Sequence, residues 1–492
     1  MALTLEGRME IIGRLREKTT ISTVIASKQA EFIAVYGRRR VGKTFLIRHS
    51  IPKSGVYFEC SGIKDGNMHE QLANFMQKFS QTFYSGIMLQ PTNSWRAAFT
   101  LLTTEIKKLP KTKKIIVFLD ELPWLATPRS QLIQNLDFFW NTEWSLLPNF
   151  KLFVCGSAAS WMLNNLINAK GGLYNRVTKT ILLRPFNLAE TKKFLTNKNI
   201  KLTEKHIVDL YMVMGGIPFY LNQLTAEKSL TENIHDICFE QDGLLYSEFP
   251  RLFKSLFNSS EYHVQIVKEI AKQNYGIAYS DLVTRTNSNA GGRFKERLNE
   301  LEACGFIQKY LPYGRQKRDH YYRISDEYTL FYLKWIAAII EGKHTPKGQN
   351  YWYKISRSPA GLAWAGLTFE TVIYKHVDQV IRALNLDKIG CFISHWNYQP
   401  PIKTKQDGAQ IDLLIDRDDD AITICEIKYS KQPFVIDKSY AQILMKKLEV
   451  FEQQTKASKQ LFLAIITASG LKKNIWSNEL VNKTVEITDL FK

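Results

Sequence analysis

An α/β fold with a buried parallel sheet is what the sequence predicts for the first part of the chain, and two stretches carry that expectation. Residues 32–36 form a short apolar run feeding a glycine-bracketed loop, Gly37-Arg38-Arg39-Arg40-Val41-Gly42-Lys43-Thr44, after which Phe45, Leu46 and Ile47 continue with helical character. Residues 114–119, KIIVFL, end in Asp120-Glu121 and show no alternation beyond their first lysine, as a strand covered on both faces requires. Strand, G-x-x-x-x-G-K-T loop and helix make a P-loop. The glycines let backbone N–H groups turn inward toward phosphate oxygens, and the positive end of the following helix adds to the attraction. Lys43 is then placed to reach the β- and γ-phosphates of a nucleotide, and the Thr44 hydroxyl to ligate Mg2+. Asp120 would hold the hydration shell of that ion, and Glu121 would orient and deprotonate an attacking water. One carboxylate suffices for the metal; the second implies hydrolysis.

At 492 residues the chain has room for about three domains, and 45% hydrophobic with 23% charged residues is an ordinary globular composition. Lys and Arg outnumber Asp and Glu by 66 to 47, a formal charge of +19. That excess favours a polyanionic partner, nucleic acid before an acidic membrane surface; a basic surface that binds nothing is the plain alternative. The cysteines (Cys60, Cys155, Cys238, Cys304, Cys391, Cys425) form no C-x-x-C pair and have no His at metal spacing, so they are expected to be reduced core residues of a cytoplasmic protein. The N-terminal MALTLEGRMEII lacks a basic region followed by an apolar one, and the most hydrophobic stretch, residues 330–340, is interrupted by Lys334. Neither a signal peptide nor a membrane span is expected.

Ahead of the loop, Gly7-Arg8-Met9-Glu10 opens an amphipathic segment in which Ile11, Ile12 and Leu15 make an apolar stripe, either near an adenine or covering a sheet edge. Residues 56–62 predict a second strand, and residues 68–83 a helix carrying Leu72, Phe75, Met76 and Phe79. Residues 151–157 predict a further core strand tipped by Ser157, which would bond the lytic water or the γ-phosphate, or else cap a helix beginning near Ala158. The loop 171–176 precedes a strand over 178–183. Its Arg176 is the first candidate to neutralise developing phosphoryl charge, in its own subunit or a neighbour, with Arg129 and Arg184 as rivals and a structural salt bridge as the alternative. Helices over 188–212 are broken by Gly215-Gly216-Ile217-Pro218, a turn that would pack Pro218 against an adenine ring.

The loop 37–44, Asp120-Glu121, Gly156-Ser157, Tyr174-Asn175-Arg176 and Gly215-Gly216-Ile217-Pro218-Phe219-Tyr220-Leu221 together resemble the archaeal-type AAA+ ATPases, relatives of the STAND signal-transducing NTPases and of origin-recognition ATPases. The resemblance spans about residues 5–250. It implies a parallel α/β ATPase core over residues 1–187, a helical lid over 188–254, and ATP with Mg2+ as cofactors. It also implies the loop 37–44 on the phosphates, Asp120 on the ion, Glu121 as base and Pro218 near the adenine; it does not fix one arginine as the finger.

Residues 255–345 predict a winged helix-turn-helix. An amphipathic helix over 262–272 carries Val264, Ile266, Val267 and Ile270, and a short one begins at Ser280. A third, from Arg293, buries Phe294, Leu298 and Leu301 while exposing Arg293, Lys295 and Arg297. Gly305 ends it, and strands over 306–311 and 320–324 flank the tip Arg315-Gln316-Lys317-Arg318. Between Arg285 and Arg323 nine Lys and Arg stand against four Asp and Glu. DNA contact would place Arg293, Lys295 and Arg297 in a major groove and Arg315, Lys317 and Arg318 on phosphates or in the minor groove. The alternative is a packing lid whose charges are merely solvated.

After a linker at 345–348, residues 346–492 form the last expected domain. A helix beyond Ser358-Pro359 carries Glu370, a strand covers 410–415 and a returning strand covers 421–428. Glu426 and Lys428 share a strand face at i, i+2, and Asp412 on the neighbouring strand converges with them. Asp412 and Glu426 as ligands, Glu370 completing the shell and Lys428 positioning a water would suit Mg2+, with Mn2+ as a substitute, for phosphodiester attack. Gln442, Lys446 and Lys447 on the next helix are offered for backbone phosphates. The pattern resembles the PD-(D/E)xK nucleases, specifically the restriction-endonuclease-like α/β domain attached to archaeal-type ATPases, over about residues 358–470. The whole predicts a Mg2+-dependent ATPase whose nucleotide state controls DNA binding and cleavage, branched DNA included, in a homo-oligomer if Arg176 acts on a neighbour. An ATP-switched DNA-binding regulator and a STAND-type signalling scaffold, both without cleavage, are the alternatives.

Overall fold

A computed structural model describes residues 10–52, 54–168, 175–316, 320–342, 351–401, 407–456 and 458–492. Gly7, Arg8, residues 171–174, Lys317, Arg318 and the linker 345–348 lie outside the described residues. The chain divides into two compact units, residues 1–185 and 186–492.

In the first unit, β1 (Glu31–Tyr36), β2 (Val56–Ser61), β3 (Ile115–Asp120), β4 (Phe150–Gly156) and β5 (Lys179–Leu182) form an all-parallel sheet in the order β2-β3-β4-β1-β5. Every residue of β3 and β4 is buried, which is why neither sequence alternates. Even Lys151 of β4 is enclosed; its ammonium donates to the Gln29 carbonyl, and desolvation pulls it down to about 8. The helices Met68–Phe83 and Trp95–Lys107 cover the sheet with Phe75, Trp95 and Phe99, and the indole of buried Trp144 donates to Thr103 Oγ1 at 2.8 Å. Because β4 lies between β1 and β3, its tip stands between the loop that follows β1 and the acidic pair that ends β3. The N-terminal helix runs over Leu15–Ala26, later than the apolar stripe suggests. Gly13 (φ 63°) and Arg14 (φ 55°) are left-handed and interrupt the stripe, so Ile12 is buried while Leu15 is exposed.

The second unit opens with the helices Leu188–Asn197 and Glu204–Met214. Further on, the helices Ser260–Ala271, Tyr279–Arg285 and Gly292–Ala303 are accompanied by an antiparallel sheet of β6 (Ile277–Ala278), β7 (Ile307–Tyr310) and β8 (Tyr321–Ile324), in the order β6-β8-β7. The two-residue β6 was not foreseen. The helix Pro359–Lys375 packs on a mixed sheet of β9 (Cys391–Tyr398), β10 (Ala409–Arg417), β11 (Ala421–Lys428), β12 (Gln460–Thr467) and β13 (Lys483–Glu486), in the order β13-β12-β11-β10-β9. β9, β10 and β11 are antiparallel neighbours; β11, β12 and β13 are parallel, with the helix Lys438–Thr455 making the crossover from β11 to β12. Ile411, Leu414, Ile424, Leu444 and Phe451 are buried between that helix and the sheet.

His376 is enclosed behind the helix Pro359–Lys375: the Leu188 N–H donates to its Nε2 at 3.0 Å, and its Nδ1–H donates to the Val372 carbonyl at 2.8 Å. Burial holds it down to about 4. A histidine lowered in this way stabilises the fold above its unfolded value of about 6.5, and the contribution, on the order of 3 kcal/mol, is lost as pH falls toward 4. The thermal midpoint is expected to drop over that window, and His376→Gln to flatten the slope in a pH series of melts.

Candidate nucleotide site and second acid centre

The loop after β1 is built by close approach. Gly37 has φ 144°, and a Cβ there would stand 2.3 Å from the Leu183 carbonyl oxygen; Gly42, at φ 94°, opens the helix Lys43–Ser50. The Arg14 guanidinium donates to the carbonyls of Val41 (3.2 Å) and Arg184 (2.7 Å), bracing the loop against the end of β5. Lys43 is buried and donates across its own loop to the carbonyls of Gly37 (3.0 Å) and Arg38 (3.1 Å).

Asp120 collects donors from every neighbouring element. Thr44 Oγ1 lies 3.1 Å from both its oxygens, Ser61 Oγ donates at 3.3 Å, the Glu121 N–H at 3.1 Å and Cys155 Sγ at 2.6 Å. Burial, with the Asp120 charge beside it, pushes the Cys155 thiol far up, so it stays protonated and a donor. Glu121 takes a left-handed φ of 49°, and its Oε2 accepts from both the N–H and the hydroxyl of Ser157 at 2.9 Å. The capping alternative for Ser157 therefore fails: the helix Ala159–Met162 starts at Ala158 with no side-chain cap, and the hydroxyl is committed to Glu121. Hydroxyl and carboxylate oxygens at Thr44 and Asp120 are the donor type Mg2+ takes. Arg176 is exposed on the turn before β5, and Arg184 is an exposed residue near Tyr36 at the end of β1. Pro218 belongs to the second unit, where it opens the short helix Pro218–Leu221.

In the second unit, β10 pairs with β11 so that Leu413 meets Cys425, which sets Asp412 across from Glu426. Asp412 Oδ2 accepts the Ile427 N–H at 3.0 Å, and Gln410 Nε2 donates to Oδ1 at 3.3 Å. Glu426 accepts from Lys447 (2.8 and 2.9 Å), Lys428 (2.8 Å) and the Tyr440 hydroxyl (2.7 Å). Burial and the neighbouring Asp412 and Glu426 charges push Glu370 up to about 8, and burial with Glu426 pushes Asp412 up to about 6. Burial also raises Glu426, but Lys447 and Lys428 outweigh it and hold the carboxyl below its usual value. Glu370, Asp412, Glu426 and Lys428 thus come together, as their spacing suggests. Lys447 and Tyr440 were missed as partners; the signal was their seven-residue spacing, one face of a helix, pointing at Glu426. Lys447 is accordingly not free for a phosphate backbone, and Lys446 pairs with Asp407 at 2.5 Å, whereas Gln442 is exposed.

Among the described residues no three His, Cys, Asp or Glu side chains are gathered as a ready ion cage. The donor chemistry nonetheless suits a hard divalent cation, whose charge would relieve the repulsion that raises Glu370 and Asp412. Glu426 would have to exchange an ammonium partner to join them. On the helix Gly292–Ala303, Arg293 and Lys295 are exposed, but the Arg297 guanidinium lies 4.0 Å over the Tyr262 ring and is only half-exposed, contrary to expectation. Arg315 is exposed.

The parallel sheet, the loop 37–44 and the Asp120-Glu121 pair define a P-loop ATPase core. Residues 12–224 match the family described as an ATPase domain predominantly from Archaea, so the chain carries an archaeal-type ATPase domain. An uncharacterized protein of Methanocaldococcus jannaschii is 26% identical over 349 residues, 67% of this chain and 71% of that protein. Among solved structures, the chain is similar to the Walker-type ATPase of Pyrococcus abyssi, at 20% identity and TM-score 0.46, covering 68% of this chain and 97% of that one. It is also similar to the ORC2 protein of Aeropyrum pernix in its ADPNP and ADP complexes, at 12% identity and TM-score 0.42, covering 69% and 97%. Among the described residues no helix is long and apolar enough to cross a membrane.

Proposed function

We propose that the chain hydrolyses ATP at its P-loop and uses the nucleotide state to control DNA binding and cleavage by the acid centre of its second unit. The observation that carries the hydrolytic half is the pair of contacts Thr44–Asp120 and Ser157–Glu121, which set an ion-holding carboxylate and a base side by side at the strand ends. The loop N–H groups and Lys43 hold the phosphates, and Glu121 accepts a proton from the attacking water. Ser157 keeps that carboxylate aimed, and Arg176 of the same or a neighbouring copy neutralises the developing charge. Thr44 and Asp120 would hold Mg2+, which supplies charge compensation at the phosphates when bound.

In the second unit, the three helices and hairpin of residues 260–324 act as a winged helix on DNA through Arg293, Lys295 and Arg315, joined by Lys317 and Arg318. Asp412 and Glu426, with Glu370, would hold Mg2+ or Mn2+, which supplies an activated water for the phosphodiester, while Lys428 steadies the charge that develops. Supercoiled plasmid and four-way junctions are expected to be cut in a divalent cation with a rate that differs between ATP, ADP and no nucleotide. Cutting indifferent to nucleotide would break the link between the two sites.

A second reading, an ATP-switched DNA-binding regulator without cleavage, is favoured by one feature: both Glu426 oxygens are engaged by lysine ammonium groups. It would show itself as salt-dependent DNA binding with no cut product in any cation.

A further inference from the structure

Beside the acid centre lies a cavity of about 770 Å3. One wall comes from the helix Pro359–Lys375 and β10, and carries Glu370, Tyr374 and Asp412; the opposite wall comes from the turn after Ser260–Ala271 and from β7 and β8, and carries Tyr275, Tyr310 and Arg323. The Arg323 guanidinium stacks 3.3 Å over the Tyr374 ring and 5.1 Å from Tyr310, and Gln308 holds it with bonds of 2.7 and 3.1 Å. Tyr374 in turn donates to the Asp412 carbonyl at 2.5 Å, the Tyr310 hydroxyl donates to the Tyr275 carbonyl at 2.5 Å, and Gln410, also lining the cavity, donates to Asp412. A pocket of this size encloses a nucleotide-sized ligand, whereas a duplex whose major groove alone is about 12 Å wide does not enter it. Aromatic faces next to a fixed cation are what a base and its phosphate require when no complementary strand is present.

We propose that this cavity takes one unpaired nucleotide, a strand end or a flipped-out residue, with Tyr275 as its stacking platform and Arg323 on its phosphate. The assignment rests on the nuclease reading of Glu370, Asp412 and Glu426, and makes unpaired nucleotides the preferred points of attack: frayed ends, flaps, single strands, and the locally opened pairs of junctions and supercoiled plasmid, ahead of relaxed blunt duplex. Tyr275 stands at the rim, 42% exposed, so its replacement leaves the core untouched.

The test is fluorescence anisotropy of the full-length protein in EDTA with a labelled single strand, a flapped duplex and a blunt duplex. Wild type is expected to prefer the first two. Tyr275→Ala is expected to lose about tenfold or more on them and nothing on the blunt duplex, and Tyr275→Phe to behave as wild type. Tyr275→Ala binding single strands as tightly as wild type, or weakening on all three DNAs alike, overturns the proposal. If no DNA is cut in any cation but the Tyr275-dependent preference persists, the nuclease reading falls and the cavity assignment stands.

Discussion

Glu121→Gln is expected to lower ATP turnover by about two to four orders of magnitude while leaving nucleotide affinity within a few-fold. Gln is the same size, and its carbonyl oxygen still accepts the Ser157 N–H and hydroxyl, so the strand tip keeps its shape; what disappears is the capacity to take a proton. The companion Lys43→Ala removes a buried cation from the phosphate loop and is expected to abolish binding itself. Phosphate release and nucleotide titration separate the two: turnover retained in both variants would remove the hydrolytic reading. Ser157→Ala is the intermediate case, since Glu121 keeps the backbone N–H and loses only the hydroxyl.

Asp412→Ala and Lys428→Ala are each expected to lower DNA cleavage at least about a hundredfold, because each removes either an ion ligand or the charge beside the scissile phosphate. Without an ion, Asp412 sits at about 6 and Glu370 at about 8, so a cation must displace their protons to bind. At a fixed, sub-saturating cation concentration cleavage should therefore rise with pH, added cation should shift the rise to lower pH, and Glu370→Gln should make it shallower. Equal cutting by wild type and both variants would place the activity elsewhere, outside this centre.

Much of both sites was legible because most of the chemistry-bearing residues sit in short contiguous patterns: G-x-x-x-x-G-K-T, an apolar run closed by Asp-Glu, and Glu-x-Lys on one strand; Asp412 and Glu370 lie outside the last of these, on a neighbouring strand and a separate helix. The residues that make those patterns work were not legible, since they arrive from far along the chain. Arg14 braces the phosphate loop, and Ser61 and Cys155 converge on Asp120 from flanking strands, with no local periodicity to announce any of the three; Lys447 shares a helix face with Tyr440, but that spacing does not say that Glu426 is what the face meets. The exposure of Arg297 was misjudged for a related reason: helical spacing puts it on the outer face, but Tyr262 of another helix covers it. Leu15 failed the other way, where two left-handed residues broke a stripe that composition alone continues.

Strand order also governs when the phosphate loop acquires its supports during synthesis. β1 pairs with β4 and β5, whose residues are more than a hundred positions later, and not with β2. At about 5–20 residues per second the ribosome delivers Leu182 some 7 to 30 seconds after Tyr36, roughly speaking. Until β4 is made, at Gly156, the nascent loop has neither neighbouring strand to hold it, and until Leu182 it has only one, so capture of nucleotide belongs to the finished sheet and a chain stalled before β4 has no means of it.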